Sequence, residues 1–348
     1  METLENANQN ILIIQTAFLG DAILTLPLIQ RLGNKFPDSI IDVISIPTTA
    51  EIFRASPYVN KVYTLDKRGS HKSLTGMYSF VKEIRKNNYS KVYSPHRSFR
   101  SGLITLLIQA NNSYGFDNSS FKYAYKTLVH YNLNDHEVKR NLSLTGDKID
   151  GNGWKIIPEI IIDEYKITEI ENYLKENNLA DGFIAVAPGS VWETKRYPAE
   201  YYSELIDGLS ETGNKIVMIG SKNDRGLCEK IASNCIVEPH ITAGAFDIVG
   251  TVELLKHSDL LITNDSAPTH MGMTADIPVL TLYCSTVAGF GFYPYNKKSA
   301  YLSYYNLDCK PCGIHGFHNC PAGSFDCGYK LTPSEVLKKA KQMLQSNG

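Results

Sequence analysis

The sequence has no uninterrupted apolar run of about 18 residues, the length a helix needs to cross a bilayer. Its first ten residues, METLENANQN, lack the basic start and apolar centre of a secretory signal. The protein is therefore expected to stay in the cytosol, where its 7 cysteines would be thiols and not disulfides. Net charge is also lacking. The 35 Lys and Arg against 36 Asp and Glu give −1, which argues against a whole-chain nucleic-acid binder. No GxGxxG follows the first strand-like run, so a dinucleotide site there is not expected.

What is present fits a folded chain of two domains: 348 residues, 43% hydrophobic and 20% charged. Short apolar, β-branched runs alternate with helical patterns. ILIIQ (Ile11 to Gln15), IDVISI (Ile41 to Ile46), KVYTL (Lys61 to Leu65) and KVYSP (Lys91 to Pro95) read as buried parallel strands. A helix is predicted from Asp21 to about Phe36. After a Gly- and Asp-rich linker, Asp147 to Pro158, the pattern restarts with strands at Phe183–Gly189, Asn214–Ser221, Asp259–Asp265 and Ile277–Tyr283, and a helix at Ala199–Ser210. The alternation predicts an α/β protein with two Rossmann-like halves whose parallel sheets face a central cleft. Ligands in such sheets bind beyond the carboxyl ends of the strands.

Three constellations sit at those ends. Thr16-Ala17-Phe18-Leu19-Gly20-Asp21 follows the first strand, and Asp21 there suits either a helix cap or a general base. Pro188-Gly189-Ser190 with Lys195 offers N–H, hydroxyl and ammonium donors to a phosphate. Asn264-Asp265-Ser266-Ala267-Pro268-Thr269-His270 opens a helix whose N-terminus is a phosphate cradle that needs no metal. No Asp-x-Asp occurs, so paired carboxylates for a divalent ion are missing and no metal or other cofactor is expected. Between Lys61 and Arg140, 14 Lys and Arg face 5 Asp and Glu, which suits an anionic partner or ordinary surface scatter. Cys309, Cys312, Cys320 and Cys327 read C-x2-C-x7-C-x6-C, open to zinc or to packed thiols.

Taken together, these segments resemble glycosyltransferase family 9, the ADP-heptose:lipopolysaccharide heptosyltransferases. The matching stretches are ILIIQTAFLGDAILTLPLIQRL, FPDSIIDVISIPTTAEIFRASPYVNKV, PGSVWETKRYP and TNDSAPTHMGMTADIPVLTLY. The cysteine loop followed by LTPSEVL resembles the second-heptose branch. The resemblance covers about residue 11 to 340. It implies a GT-B fold, with an acceptor domain over 1–155, a nucleotide-sugar domain over 156–330, and a C-terminal helix over 331–348 packing back on the first. It implies inverting, metal-independent transfer of a heptose from ADP-heptose to an anionic lipopolysaccharide inner-core acceptor. That reaction places the protein in the cytoplasm, with peripheral contact at the inner membrane and no nucleic-acid partner. Asp21 matches the family's base. Ser190, Lys195, Asp265, Ser266, Ala267 and His270 fall at donor positions, and Lys67, Arg97, Arg100 and Ser101 on the acceptor side. Ser221-Lys222 stands where some members place an acidic residue, and Cys284 where glycine is common. A relative acting on another sugar nucleotide, as transferase or epimerase, and a binding module without catalysis are the alternatives.

Overall fold

The computed structural model describes residues 9–347; the polar start METLENAN lies outside the described residues. The chain forms two compact units that meet in sequence at Ile161 and Ile162.

In the first unit six strands form one sheet: β1 (Asn10–Ile14), β2 (Ile40–Ser45), β3 (Lys61–Thr64), β4 (Lys91–Ser94), β5 (Asn112–Phe116) and β6 (Thr127–Val129). Their order is β3-β2-β1-β4-β5-β6, and every neighbouring pair is parallel. Ile11, Leu12, Ile13 and Ile14 are all fully buried, as a central strand covered on both faces requires. On one face Leu12, Ile14, Ile44 and Val92 pack with Met77, Val81 and Ile84 from helix Leu74–Arg85 and with Ile104 and Ile108 from helix Phe99–Ile108. The order reverses between β1 and β4, so the switch point of the sheet lies beyond those two strands.

The helix expected from Asp21 to Phe36 is two helices, Leu19–Ile23 and Leu26–Lys35. The break has a local cause. Thr25 Oγ1 donates to the Asp21 carbonyl at 2.8 Å and accepts from Gln15 Nε2 at 2.9 Å. Pro27, which has no N–H to continue a ladder, then sits in the first turn of the second helix.

The second unit repeats the plan with β7 (Ile184–Ala187), β8 (Ile216–Met218), β9 (His240–Ile241), β10 (Leu260–Asn264), β11 (Val279–Tyr283) and β12 (Ala300–Ser303). The order is β12-β11-β10-β7-β8-β9, again all parallel. Read from the other edge this is the order of the first sheet, and its switch point lies beyond β7 and β10. The C-terminal helix Pro333–Asn347 packs on helix Ala199–Ser210 and adds Val336, Ala340 and Met343 to this unit's core. Gly208 makes that approach possible: a Cβ there would stand 2.6 Å from Leu337.

Candidate active site

In the first unit the segments after β1, β3 and β4 converge. Asp21 lies in the first turn of helix Leu19–Ile23, with Phe18 at the cap position, so it is not the helix cap. The loop leading to it is held from three directions. Lys67, after β3, donates to the Thr16 carbonyl at 2.6 Å. His96, after β4, places Nδ1 2.9 Å from Thr16 Oγ1, and Gln15 Oε1 accepts from the Ala17 N–H at 3.1 Å. Ser101, fully buried, sets its hydroxyl 3.0 Å from the same His96 nitrogen, and Ser98 caps the helix by accepting from the Ser101 N–H. Arg97 lies over the Tyr131 ring at 3.9 Å.

The charges around Asp21 tune it. Enclosure by protein, and next the charge of Glu137, push its carboxyl up to about 6, while its own N–H, that of Phe18 and the Arg97 guanidinium oppose the rise. Glu137 is brought there by the helix Glu137–Ser143, whose Asn141 donates to the Leu24 carbonyl at 3.0 Å. It is held by Tyr131 OH at 2.6 Å and by the buried Arg140 guanidinium at 2.9 Å. Burial, with Lys67 and Arg97 nearby, lowers His96 to about 4, so it is neutral at neutral pH. Burial and the charge of Arg100 lower Lys67 to about 8. Of the acceptor-side residues named from the sequence, Arg97 acts on Asp21 directly, Lys67 and Ser101 meet the loop and the His96 that support it, and Arg100 acts on Lys67. A carboxyl near 6 is well matched to proton abstraction at neutral pH. Exchanging Glu137 for Gln removes the charge that, after enclosure by protein, most raises Asp21. The acid limb of the pH–kcat/KM profile is then expected to move to lower pH, and an unmoved limb in E137Q would show that Glu137 does not tune the base.

In the second unit Lys195 closes a 3₁₀ turn, Glu193–Lys195, and Asp265 follows β10. Lys195 Nζ and Asp265 Oδ2 pair at 2.7 Å, with the side chains only 13% and 10% exposed. Thr286 Oγ1 donates to the same carboxylate oxygen at 2.7 Å. Asp265 thus faces a cation, as an anion beside a phosphate cradle must. Ser266 occupies the cap position of helix Ala267–Thr274, and its hydroxyl donates to the Gly189 carbonyl at 3.3 Å and makes no capping bond to the helix. Ser190, Ser266, Ala267 and Lys195 therefore stand at one switch point. His270, one turn in, is buried; its Nδ1 has no hydrogen-bond partner among the described residues, and burial then the Lys195 charge lower it to about 3. Asn264 ties the parts together. Its Oδ1 accepts from the Tyr197 N–H at 2.9 Å and from Tyr202 OH at 3.0 Å, and its Nδ2 donates to the Pro188 carbonyl at 2.7 Å.

The first unit thus carries a raised carboxyl beside a guanidinium and a neutral histidine, and the second a nearly enclosed lysine–aspartate pair beside a helix N-terminus. The family model for glycosyltransferase family 9 (heptosyltransferase) matches residues 77–316, more than half of the chain. The chain belongs to glycosyltransferase family 9. Lipopolysaccharide heptosyltransferase 3 of Escherichia coli K12 is 26% identical to this glycosyltransferase over 77% of its chain and 80% of the relative. Lipopolysaccharide heptosyltransferase 2 of Salmonella typhimurium LT2 is 23% identical over 97% and 99%. The solved structure of E. coli ADP-heptose lps heptosyltransferase II superposes with a TM-score of 0.78 at 20% identity, covering 97% of this chain and 99% of that one. The fold is accordingly GT-B.

The cysteine loop of this family 9 member is stitched to Thr194, the residue before Lys195. The Thr194 N–H donates to the Phe317 carbonyl at 3.0 Å, and the Phe317 N–H donates back to Thr194 Oγ1 at 2.8 Å. Gly316, at φ +76°, lets the backbone in where a Cβ would meet Thr194 Oγ1 at 2.8 Å. Cys327 is buried, Cys312 and Cys320 are half-buried and Cys309 is exposed; all four are free thiols. Among the described residues no group of three or more His, Cys, Asp or Glu is arranged to hold a metal ion. Ser221, where some members place an acidic residue, is taken up by Asp224, which accepts from both its N–H and its hydroxyl.

Sequence reasoning missed His96, Glu137 and Thr286. His96 stands directly after the fourth predicted strand and beside Arg97, so its position was a usable signal. Glu137 and Thr286 reach their partners only through folding, across 116 and 21 positions, and carry no local mark.

Proposed function

We propose that this glycosyltransferase moves a heptose from ADP-heptose to an inner-core sugar of lipopolysaccharide, with inversion and without a metal. The observation that carries the reading is the place of Asp21 in the turn beyond β1, its carboxyl raised to about 6 by enclosure, with Arg97 acting on it and Lys67 tied to the same loop through the Thr16 carbonyl. Such cations attract an acceptor bearing carboxylates or phosphates. The names of the relatives, heptosyltransferases 2 and 3, support the choice of sugar and acceptor. The likeness to the E. coli ADP-heptose lps heptosyltransferase II supports ADP as the carrier. Asp21 takes the proton from the acceptor hydroxyl as its oxygen attacks C1 of the donor sugar. The bond from C1 to the diphosphate oxygen breaks on the opposite face, and the diphosphate leaves with the electron pair. Lys195 and the N–H groups of helix Ala267–Thr274 meet the developing charge, a contribution of a few kcal/mol per preorganised donor. Asp265 and Thr286 hold the lysine in place for that step. The acceptor side belongs to the first unit and the donor side to the second, in the cytoplasm, with peripheral contact at the inner membrane.

The test is mass spectrometry of lipopolysaccharide core acceptors incubated with candidate sugar nucleotides, with and without chelator. A mass gain of one heptose from ADP-heptose, unchanged by chelator, is expected. Transfer from a different sugar nucleotide would overturn the donor, and chelator-sensitive transfer restored by magnesium or manganese would overturn metal independence.

A further inference from the structure

Helix Phe99–Ile108 presents an apolar stripe to solvent where a helix on a parallel sheet ordinarily turns polar. Phe99 is 58% exposed and Leu106, seven residues on and thus on the same face, is 48% exposed, with half-buried Leu103 between them. The stripe is broadened by the segment after β5. Phe121 stacks on Phe99 with ring centroids 5.0 Å apart, and the backbone of Phe121 lies where a Cβ on Gly102 would meet it at 2.9 Å. Two residues further on, Tyr123 is 85% exposed, with Lys122 Nζ over its ring.

The charged residues in the stretch of chain that forms this face are mostly basic. From Arg97 to His130 the sequence holds Arg97, Arg100, Lys122 and Lys126 against a single acidic residue, Asp117. An exposed face of Phe, Leu and Tyr with Arg100 beside Phe99 in the chain and Lys122 over Tyr123 is the composition that settles into the headgroup region of an anionic bilayer. The stripe also starts at the site. Phe99 lies between Arg97 and Arg100, so a surface seated on this helix would bring lipid-anchored sugars to the cations around Asp21. No described helix is long and apolar enough to cross a membrane, so a bilayer would be met only from its surface.

We propose that the face formed by helix Phe99–Ile108 and the Phe121–Tyr123 turn is a docking surface for an anionic lipid bilayer. The lipid-anchored acceptor of the proposed function gives this surface its purpose, and the surface rests on that reading only for its purpose. Binding is measured first without any acceptor, by sedimenting the full chain with phosphatidylcholine vesicles that contain or lack phosphatidylglycerol. The expected result is sedimentation with the phosphatidylglycerol vesicles alone, weakening as salt is raised. The double variant Leu106→Gln, Tyr123→Ser should lower the partition coefficient by about tenfold or more, since each loses an apolar contact at the interface. Neither residue touches the site, so turnover of a soluble, deacylated acceptor should stay at the wild-type level. A chain that remains in the supernatant, or a double variant that sediments like the wild type, overturns the proposal. So does a double variant that changes the protein from dimer to monomer in solution, because the face is then an interface between copies of the chain. Failure of heptose transfer alongside intact vesicle binding would instead strike the proposed reaction and leave the surface standing.

Discussion

Replacing Asp21 by Asn is expected to cut kcat by about 10²–10⁴-fold, the usual contribution of a general base. The same change is expected to raise the melting temperature. The folded protein holds the Asp21 proton more tightly than the unfolded chain does, because its carboxyl is raised to about 6 from an ordinary value near 4. Stability from this group is therefore fully present below about pH 4 and falls away as pH rises through 6. At neutral pH the ionised carboxylate costs up to about 3 kcal/mol, and the Asn variant avoids that cost. Calorimetry of both proteins at neutral pH and near pH 4 checks the sign, since the gain in Tm should shrink at the lower pH. Turnover within about threefold of wild type would remove Asp21 from the base role.

Breaking the Lys195–Asp265 pair is expected to have the largest effect on stability. Both side chains are nearly enclosed, so removing one leaves the other as an uncompensated charge, at a cost of about 3–5 kcal/mol. Lys195→Met and Asp265→Asn should each melt well below the wild type. The double variant should recover most of the loss, because two neutral groups of similar volume replace two charges. Activity should not recover with it. Lys195→Met removes the cation proposed to meet the diphosphate, so donor KM is expected to rise and kcat to fall in both the single and the double variant. Thermal melts set beside donor titrations separate the two effects. A double variant that regains turnover together with stability would show that the lysine serves folding alone.

The parts of the fold that were legible in the sequence share a physical origin. β1 from Ile11 on, β7, β8, β10 and β11 are buried along their length, so they appear as largely apolar runs such as ILII and IAVA, while β2 and β4 were legible from β-branched and aromatic residues beside Asp42 and Lys91. β5, β6, β9 and β12 were not anticipated. Asn112–Phe116 carries Asn, Ser and Gly, His240–Ile241 spans two residues, and β6, β9 and β12 are edge strands, where burial is partial. The single helix expected after β1 failed because hydrophobic spacing does not register a threonine bonding back to the preceding turn. Among the candidate residues, those adjoining strand ends could be named from the sequence because ligands of open parallel sheets bind beyond the carboxyl ends of the strands. Glu137 could not, since its approach to Asp21 is fixed by Asn141 reaching the Leu24 carbonyl, a contact between helices far apart in sequence.

The chain passes from one unit to the other only at Ile161–Ile162, and each unit carries its own switch-point constellation on a sheet of the same strand order. Among the described residues, Glu137 and Arg97, whose charges act on Asp21, lie upstream of that crossing, and Asp265, which pairs with Lys195, lies downstream. A single splice at this point would therefore cut through neither constellation, so, on the proposed roles of Asp21 and Lys195, hybrids with other members of the family are expected to take acceptor preference from one parent and donor preference from the other.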